Sequence, residues 1–313
     1  LPKPLTEDRL IHELARAGHW QRYDKREKSY KPAPPPRHIA KDLLAARSFP
    51  LPNLSGIVEC PTFAPNNGLS TTPGYQPETG LYYAPARGFR VPTTPQSPTA
   101  ADVEAARKLI VDDLLGDFPF TGPAELAHAV ALLLLPVVRP LIDGPTPLHL
   151  IEKPTAGTGA SLLTEAIATV ITGRAPAMMT EGRDDDEWRK RITATLRLSP
   201  AFVVIDNLRK PLDSASISSA ITASHWQDRI LGVSEMVRLP VRCAWVATGN
   251  NPSLSGEIAR RCVRIRMDAK EDRPWRRTEF RHPQLIRWIQ ATRGDLIGAC
   301  LTLGQAYVAA GRP

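Results

Sequence analysis

The chain has 313 residues, of which 42% are hydrophobic and 23% charged, and a formal net charge of +8. That is enough apolar material for one large or two modest globular cores. No apolar run reaches the roughly 18 residues that a membrane span needs; the nearest, 129–138, contains Pro136, is followed by Arg139, and reads as a buried helix. No signal peptide precedes a small-residue cleavage site, and the first residue is Leu1, as expected of a piece of something longer. The four cysteines (Cys60, Cys243, Cys262, Cys300) form no C-x-x-C pair and the seven histidines no H-E-x-x-H, which argues against a disulfide scaffold or a structural zinc. Reduced thiols and a cytoplasmic location are the expectation. A basic balance is compatible with a nucleic-acid partner and is unevenly spread: residues 201–313 hold 17 Lys+Arg against 10 Asp+Glu.

In chain order, Thr6-Glu-Asp predicts a capped amphipathic helix to about Ala17, and a second helix is predicted over 38–47. Between Pro32 and Pro98 lie 14 of the 31 prolines, so that stretch is expected to be loops and short strands. Within it, 71–84 predicts a hairpin with Gly80 at the turn. From Thr99, which can cap a helix to 115, the pattern becomes regular, with a further helix from about Ala124 into the 130s. β-rich runs at 149–152, 177–180, 201–205, 244–247 and 263–266 then alternate with helical segments at 161–171, 184–198, 214–223 and 255–260. Strands and helices alternating at this length predict βαβ units and a mostly parallel sheet. Two helices, 282–293 and 294–310, close the chain. The expected fold class is α/β, with three parts: a proline-rich module over 1–98, a P-loop core over 99–270 and a C-terminal helical lid over 271–313.

The strongest chemical signal is the run from Pro154 through Thr155, Gly157, Thr158, Gly159, Ala160 and Ser161 to Leu162, at the junction of a strand and a helix. A glycine-rich turn there aims successive backbone N–H groups and the positive helix end at a phosphate chain, and the Ser161 hydroxyl is placed for Mg²⁺. Two positions depart from the phosphate-loop pattern: Ala160 stands where it has Lys, and Pro154 where it has Gly. Lys153, just before the loop, either supplies that charge from the other side or is an exposed lysine at a strand end. About 40 residues on, the apolar run Phe202–Ile205 ends in Asp206, a Walker B arrangement that delivers a carboxylate to Mg²⁺. The next residue is Asn207 where a Glu would activate water; an amide orients water but takes no proton from it. A third strand runs into Asn250 and Asn251, which are either sensors of a terminal phosphate or a polar turn. Arg260 and Arg261 read as an arginine finger or as a solvated helix end. The acids at 184–187 cap the helix that they begin.

With these motifs in order, the block from about Thr99 to Pro313 resembles the AAA+ ATPase region of primase–helicase replication proteins from phages, plasmids and genomic islands, close to the superfamily 3 helicases. The stretches that carry the resemblance are D-F-P-F at 117–120, P-L-H-L-I-E-K-P at 147–154, G-T-G-A-S at 157–161, D-R-I-L-G at 228–232, A-T-G-N-N at 247–251 and R-P-W-R-R-T-E-F-R-H-P at 273–283. P-T-F-A-P-N-N-G-L and G-Y-Q-P-E-T-G-L-Y-Y, further upstream, resemble segments that precede such ATPases. The resemblance implies a homo-oligomeric ring, a hexamer, with ATP and Mg²⁺ between subunits, working on single-stranded or forked DNA beside other replication proteins. It maps Gly157, Gly159 and Ser161 onto the phosphate loop, Asp206 onto Walker B, Asn250 or Asn251 onto sensor 1 and Arg260 or Arg261 onto the finger. It also implies a DNA-gripping hairpin over 229–247, flanked by Arg229, Arg238 and Arg242, although the tip Ser234-Glu235-Met236 is not basic. Two further readings stand beside the motor: a non-hydrolysing assembly or nucleotide-switch module, favoured by Ala160 and Asn207, and DNA binding by the N-terminal stretch 22–31 with Trp20.

Overall fold

The computed structural model describes residues 5–46, 52–230, 232 and 235–312, in two compact units, Leu1–Asn53 and Leu54–Pro313. In the first unit, the Thr6 hydroxyl accepts from the Arg9 amide and starts helix α1 (Glu7–Ala17). An antiparallel hairpin follows, β1 (Gln21–Asp24) and β2 (Ser29–Pro32), then helix α2 (Arg37–Ala45), one residue earlier at its start than predicted. The end predicted at residue 47 lies outside the described residues.

The second unit begins with short strands, as the prolines dictate: β3 (Gly56–Val58), β4 (Thr62–Phe63), β5 (Leu69–Ser70), β6 (Gly74–Gln76) and β7 (Leu81–Tyr83). β6 and β7 form the predicted hairpin, with Gly80 at φ +68° in its turn. Thr99 and Asp102 make a reciprocal cap for α3 (Ala100–Lys108), which continues as a π-helical turn over Leu109–Leu114. Helix α4 (Pro123–Val138) and the 3₁₀ turn Arg139–Leu141 follow. The stretch Pro123–Leu141 is long and apolar enough to cross a membrane by composition, with a mean hydropathy of 1.6. Its Ala129, Leu132, Leu133, Leu135 and Val137 are instead buried in the core of this unit.

The alternating half is β8 (Leu148–Lys153), α5 (Ala160–Thr172), β9 (Met178–Met179), α6 (Asp185–Leu196), β10 (Phe202–Leu208), α7 (Ala215–Ala220), β11 (His225–Arg229), β12 (Met236–Pro240), β13 (Ala244–Asn250), α8 (Gly256–Ala259) and β14 (Cys262–Arg266). Five of these strands form one all-parallel sheet in the order β14-β8-β13-β10-β9. Its central strands are near-continuous apolar runs because both faces are covered. Ile151, Val204, Val246 and Ile265 face a core shared with α4 and α5, and Leu150, Val203, Ile205 and Trp245 face one shared with α6 and α7. The fold is therefore α/β, as expected from the alternation.

Three expectations change. The closing helices 282–293 and 294–310 are one helix, α9 (Leu285–Ala309). Gly294 does not break it: a Cβ there would lie 2.1 Å from the Arg90 carbonyl oxygen, so the glycine serves a close approach of two backbones. The boundary between compact units falls after Asn53 rather than after residue 98, because 54–98 packs on α9. The hairpin expected over 229–247 is β11 paired with β12 over His225–Arg229 and Met236–Pro240, while the run from Ala244 belongs to the central sheet. Of its expected tip, Ser234 lies outside the described residues.

Candidate functional site

Alternation along a strand sends every second side chain to the same face. On β8 this groups Lys153 with His149 and Ile151; on β10 it groups Asp206 with Phe202 and Val204; on β13 it groups Thr248 and Asn250 with Val246. The three strands are neighbours, so Lys153, Thr248, Asn250 and Asp206 collect at their carboxyl ends, on the face covered by α5. That end of a parallel sheet is where ligands bind in open α/β folds.

The loop Pro154–Gly159 carries the chain from β8 to α5. Gly157 and Gly159 take φ +83° and +106°, conformations that L side chains rarely adopt. The Thr158 hydroxyl donates to the Thr155 carbonyl at 2.7 Å and braces the turn from inside. α5 has no side-chain N-cap, and among the described residues no amide from 155 to 162 has a hydrogen-bond acceptor in the protein. A turn with this many unpartnered N–H groups, at the positive end of a helix, is a cradle for an anion. Ala160, at the position expected to hold Lys, is 1% exposed and part of the core, whereas Ser161 and Leu162 are exposed.

Ser161 Oγ lies 3.3 Å from Asp206 Oδ1, and Thr248 Oγ1 donates to that same oxygen at 2.8 Å. Thr248 in turn accepts from the Asn207 amide at 2.8 Å, which ties β10 to β13 where the register shifts. A hydroxyl and a carboxylate in contact, with phosphate oxygens and water completing the shell, are a donor set that suits Mg²⁺. Among the described residues no group of three or more His, Cys, Asp or Glu side chains is placed to hold a metal ion.

Lys153 is not an exposed lysine at a strand end; it is 9% exposed. Burial pulls its pKa below the ordinary lysine value, against the opposing pull of Asp206. Among the described residues its ammonium makes no hydrogen bond or ion pair. The Lys153 carbonyl accepts from Asn251 N at 3.0 Å, and Asn250 pairs with Lys153 across the strands, so both asparagines lie beside the start of the loop. Asn250, Asn251 and Asn207 are exposed, the last two with φ of +42° and +57°.

The two arginines part company. Arg261 is held by the Ser218 hydroxyl at 2.8 Å and by Glu257 at 2.6 Å. Among the described residues Arg260 is bound only to Glu257, at 2.6 Å, and its side chain is 63% exposed. Both precede β14 at the amino end of the sheet, where the Arg261 carbonyl accepts from Leu148 N. They lie at the opposite end of β8 from the β8–α5 loop. On the β11–β12 hairpin, Arg229 and Arg238 are exposed, while Arg242 lies beyond its open end, lining a cavity with the buried Arg139.

Beside the loop is a cavity of about 410 Å³ that reading the sequence did not single out. Phe118, Leu162, Trp275, Phe280 and Leu285 give it an apolar, aromatic lining, and Gly157 and Gly159 open it to the loop. Trp275 packs so closely on Gly157 that a Cβ there would lie 3.1 Å from its ring. The segment 273–283 is held over the cavity by Arg281, whose amide donates to Asp117 at 2.7 Å and whose guanidinium pairs with Asp113 at 2.6 Å. His282 stacks on Trp288 at 3.9 Å, and among the described residues its buried Nε2 has no hydrogen-bond partner. The D-F-P-F and R-P-W-R-R-T-E-F-R-H-P runs were visible in the sequence; that they face each other across the loop was not. Glu181 is also brought in by the fold: its carboxylate accepts from the amides of Arg209 and Lys210, just past Asn207.

No family model matches the chain, and no curated protein matches it. Among solved structures it is similar to the A form apo structure of the NrS-1 C-terminal region, at 14% identity and a TM-score of 0.44, over 92% of this chain and 67% of that one. It is also similar to JCV helicase bound to a thiazolopyridinyl-phenoxyphenyl acetamide, at 11% identity and a TM-score of 0.30, over 65% of this chain and 61% of that one.

Proposed function

We propose that this chain binds Mg-ATP at the β8–α5 loop and acts as an ATP-dependent DNA motor of the helicase type, assembled as a homo-oligomeric ring, a hexamer, in the replication of a mobile element. The observation that carries the nucleotide reading is the convergence of unpartnered loop amides, the unpaired Lys153 ammonium and the Ser161–Asp206 contact on one strand end. In this reading the β- and γ-phosphates lie on residues 155–162 with Lys153 as their cation, and Ser161 and Asp206 hold Mg²⁺. The base enters the aromatic cavity between Phe118 and Trp275, whose volume is in the range of small-molecule sites. Asn250 and Asn251 orient the terminal phosphate or the attacking water. Arg260, exposed at the far end of the sheet, serves the loop of a neighbouring subunit, and Arg229 and Arg238 contact single-stranded or forked DNA.

Asn207 favours a second reading, a nucleotide switch that binds without turnover and scaffolds replication proteins. It is exposed at the end of β10, in the place of a general base, with an amide that cannot take a proton. One experiment separates the two: Mg-ATP binding and DNA-stimulated hydrolysis by the whole chain, beside Asp206→Asn. The motor reading expects DNA-stimulated turnover that the variant loses. Binding without turnover supports the switch, and no binding to either protein refutes both.

A further inference from the structure

The β1–β2 hairpin of the N-terminal unit exposes almost all of both strands, yet it carries two tyrosines directly opposite each other, Tyr23 and Tyr30. They are 47% and 68% exposed and pack edge to face at 5.2 Å. An aromatic pair on a sheet face ordinarily gains by burial against a second layer; among the described residues this one has none. The strands are held by other means. The Trp20 indole donates to the Leu14 carbonyl at 2.7 Å and Ala33 N donates to the Trp20 carbonyl at 3.0 Å, which pins the hairpin base to α1. Asp24 accepts from the amides of Arg26 and Glu27 and so shapes the turn. The tyrosine pair adds a cross-strand contact to these ties and still leaves both side chains open to solvent.

The charges around them are one-sided. Both acids of the hairpin, Asp24 and Glu27, are taken by a single cation, Lys31, at 3.3 and 2.6 Å. Arg22, Lys25, Arg26 and Lys28 are exposed; Arg22 acts on Asp24 at longer range, and among the described residues Lys25, Arg26 and Lys28 form no ion pair with a carboxylate. The turn therefore presents Lys25, Arg26 and Lys28 to solvent beside the rings. Uncompensated cations next to exposed aromatic rings suit a partner with a phosphate backbone and unpaired planar bases. A duplex keeps its bases stacked on one another and offers no face to a tyrosine.

We propose that this hairpin is a single-stranded nucleic-acid binding element, with bases stacking on Tyr23 and Tyr30 and phosphates held by Lys25, Arg26 and Lys28. It is a site separate from the nucleotide loop and does not depend on hydrolysis there. The test is fluorescence anisotropy with labelled oligothymidylate, on the whole chain without nucleotide, over a range of salt concentrations. Tyr23→Ala/Tyr30→Ala should weaken binding by about 10- to 100-fold, while Tyr23→Phe/Tyr30→Phe stays close to the parent, since stacking needs the ring and not the hydroxyl. Lys25→Ala/Arg26→Ala/Lys28→Ala should reduce the slope of log affinity against log salt by about 2, at roughly 0.7 for each phosphate no longer neutralised. Unchanged ATP binding and circular dichroism in each variant keep this result distinct from failure of the nucleotide site or of folding. The proposal is overturned if the alanine pair binds as the parent does, if the phenylalanine pair loses as much as the alanine pair, or if a duplex of equal length competes as well as the single strand.

Discussion

Lys153 and Ala160 between them decide how a phosphate chain would be neutralised. Ala160 is enclosed in the core, while Lys153 arrives from the preceding strand with its ammonium unpaired. Lys153→Met is expected to weaken Mg-ATP binding by about 100-fold, the scale of one charged hydrogen bond; Lys153→Met/Ala160→Lys should recover part of it in the same titration. Wild-type affinity in Lys153→Met would remove Lys153 from the site. On the same strand face, His149 is 3% exposed, and among the described residues its Nδ1 has no hydrogen bond of good geometry; burial, against a weaker backbone interaction with Trp245, lowers its pKa from 6.5 to about 4. Between those values the unfolded chain binds a proton that the folded one refuses, so stability falls as the pH drops through this window. The loss reaches about 3 kcal/mol at most by pH 4. Urea melts from pH 7 to pH 4 should show an acid limb that is shallower in His149→Leu.

At the scale of elements, α9 is the piece that periodicity and glycine content divide in two and packing makes one. Gly294 and Gly298 lie against Arg90 and Pro92, and Gly304 against Phe63, so three small residues let the helix approach the proline-rich segment. Gly294→Ala tests the reason directly. In an isolated helix the change would gain about 1 kcal/mol. Here the new Cβ meets the Arg90 carbonyl, and overpacking of about 1–3 kcal/mol should outweigh that gain. The expected outcome is a lower melting temperature for Gly294→Ala and a smaller change for Gly298→Ala, whose nearest contact would be 3.3 Å. Between these glycines and α5, Arg293 donates to the carbonyls of Val170, Ile171 and Glu59 and lies 4.1 Å over the Phe89 ring. It closes the end of α5, the helix that begins at the glycine-containing loop after β8.

For the molecule as a whole, the two ends of the central sheet carry different chemistry. The carboxyl end gathers the anion cradle, and the amino end presents Arg260. If subunits stack head to tail, one end meets the other, which is how a residue remote from its own loop acts on a neighbour's. Arg260→Ala is expected to keep nucleotide affinity and fold while losing about 10³-fold in turnover, read by steady-state ATPase assay. Arg261→Ala, by contrast, removes a tie between α8 and α7 and should register in thermal melts. The reverse pattern would assign the finger to Arg261.

The α/β alternation, the glycine loop and the carboxylate at a strand end were legible in the sequence because each is local: a strand period, a helix period, and turn residues at fixed offsets. The caps at Thr6 and Thr99 were legible for the same reason. Strand order was not, since the side chains of β8, β13 and β10 meet only through pairings between segments some 40 to 100 residues apart. The burial of Lys153, the reach of Thr248 to Asp206, and the cavity that sets Phe118 against Trp275 all follow from those pairings. A sequence specifies which groups a strand end carries; only tertiary packing decides which strand ends are neighbours, because that choice is made by both faces of the sheet burying their apolar side chains at once.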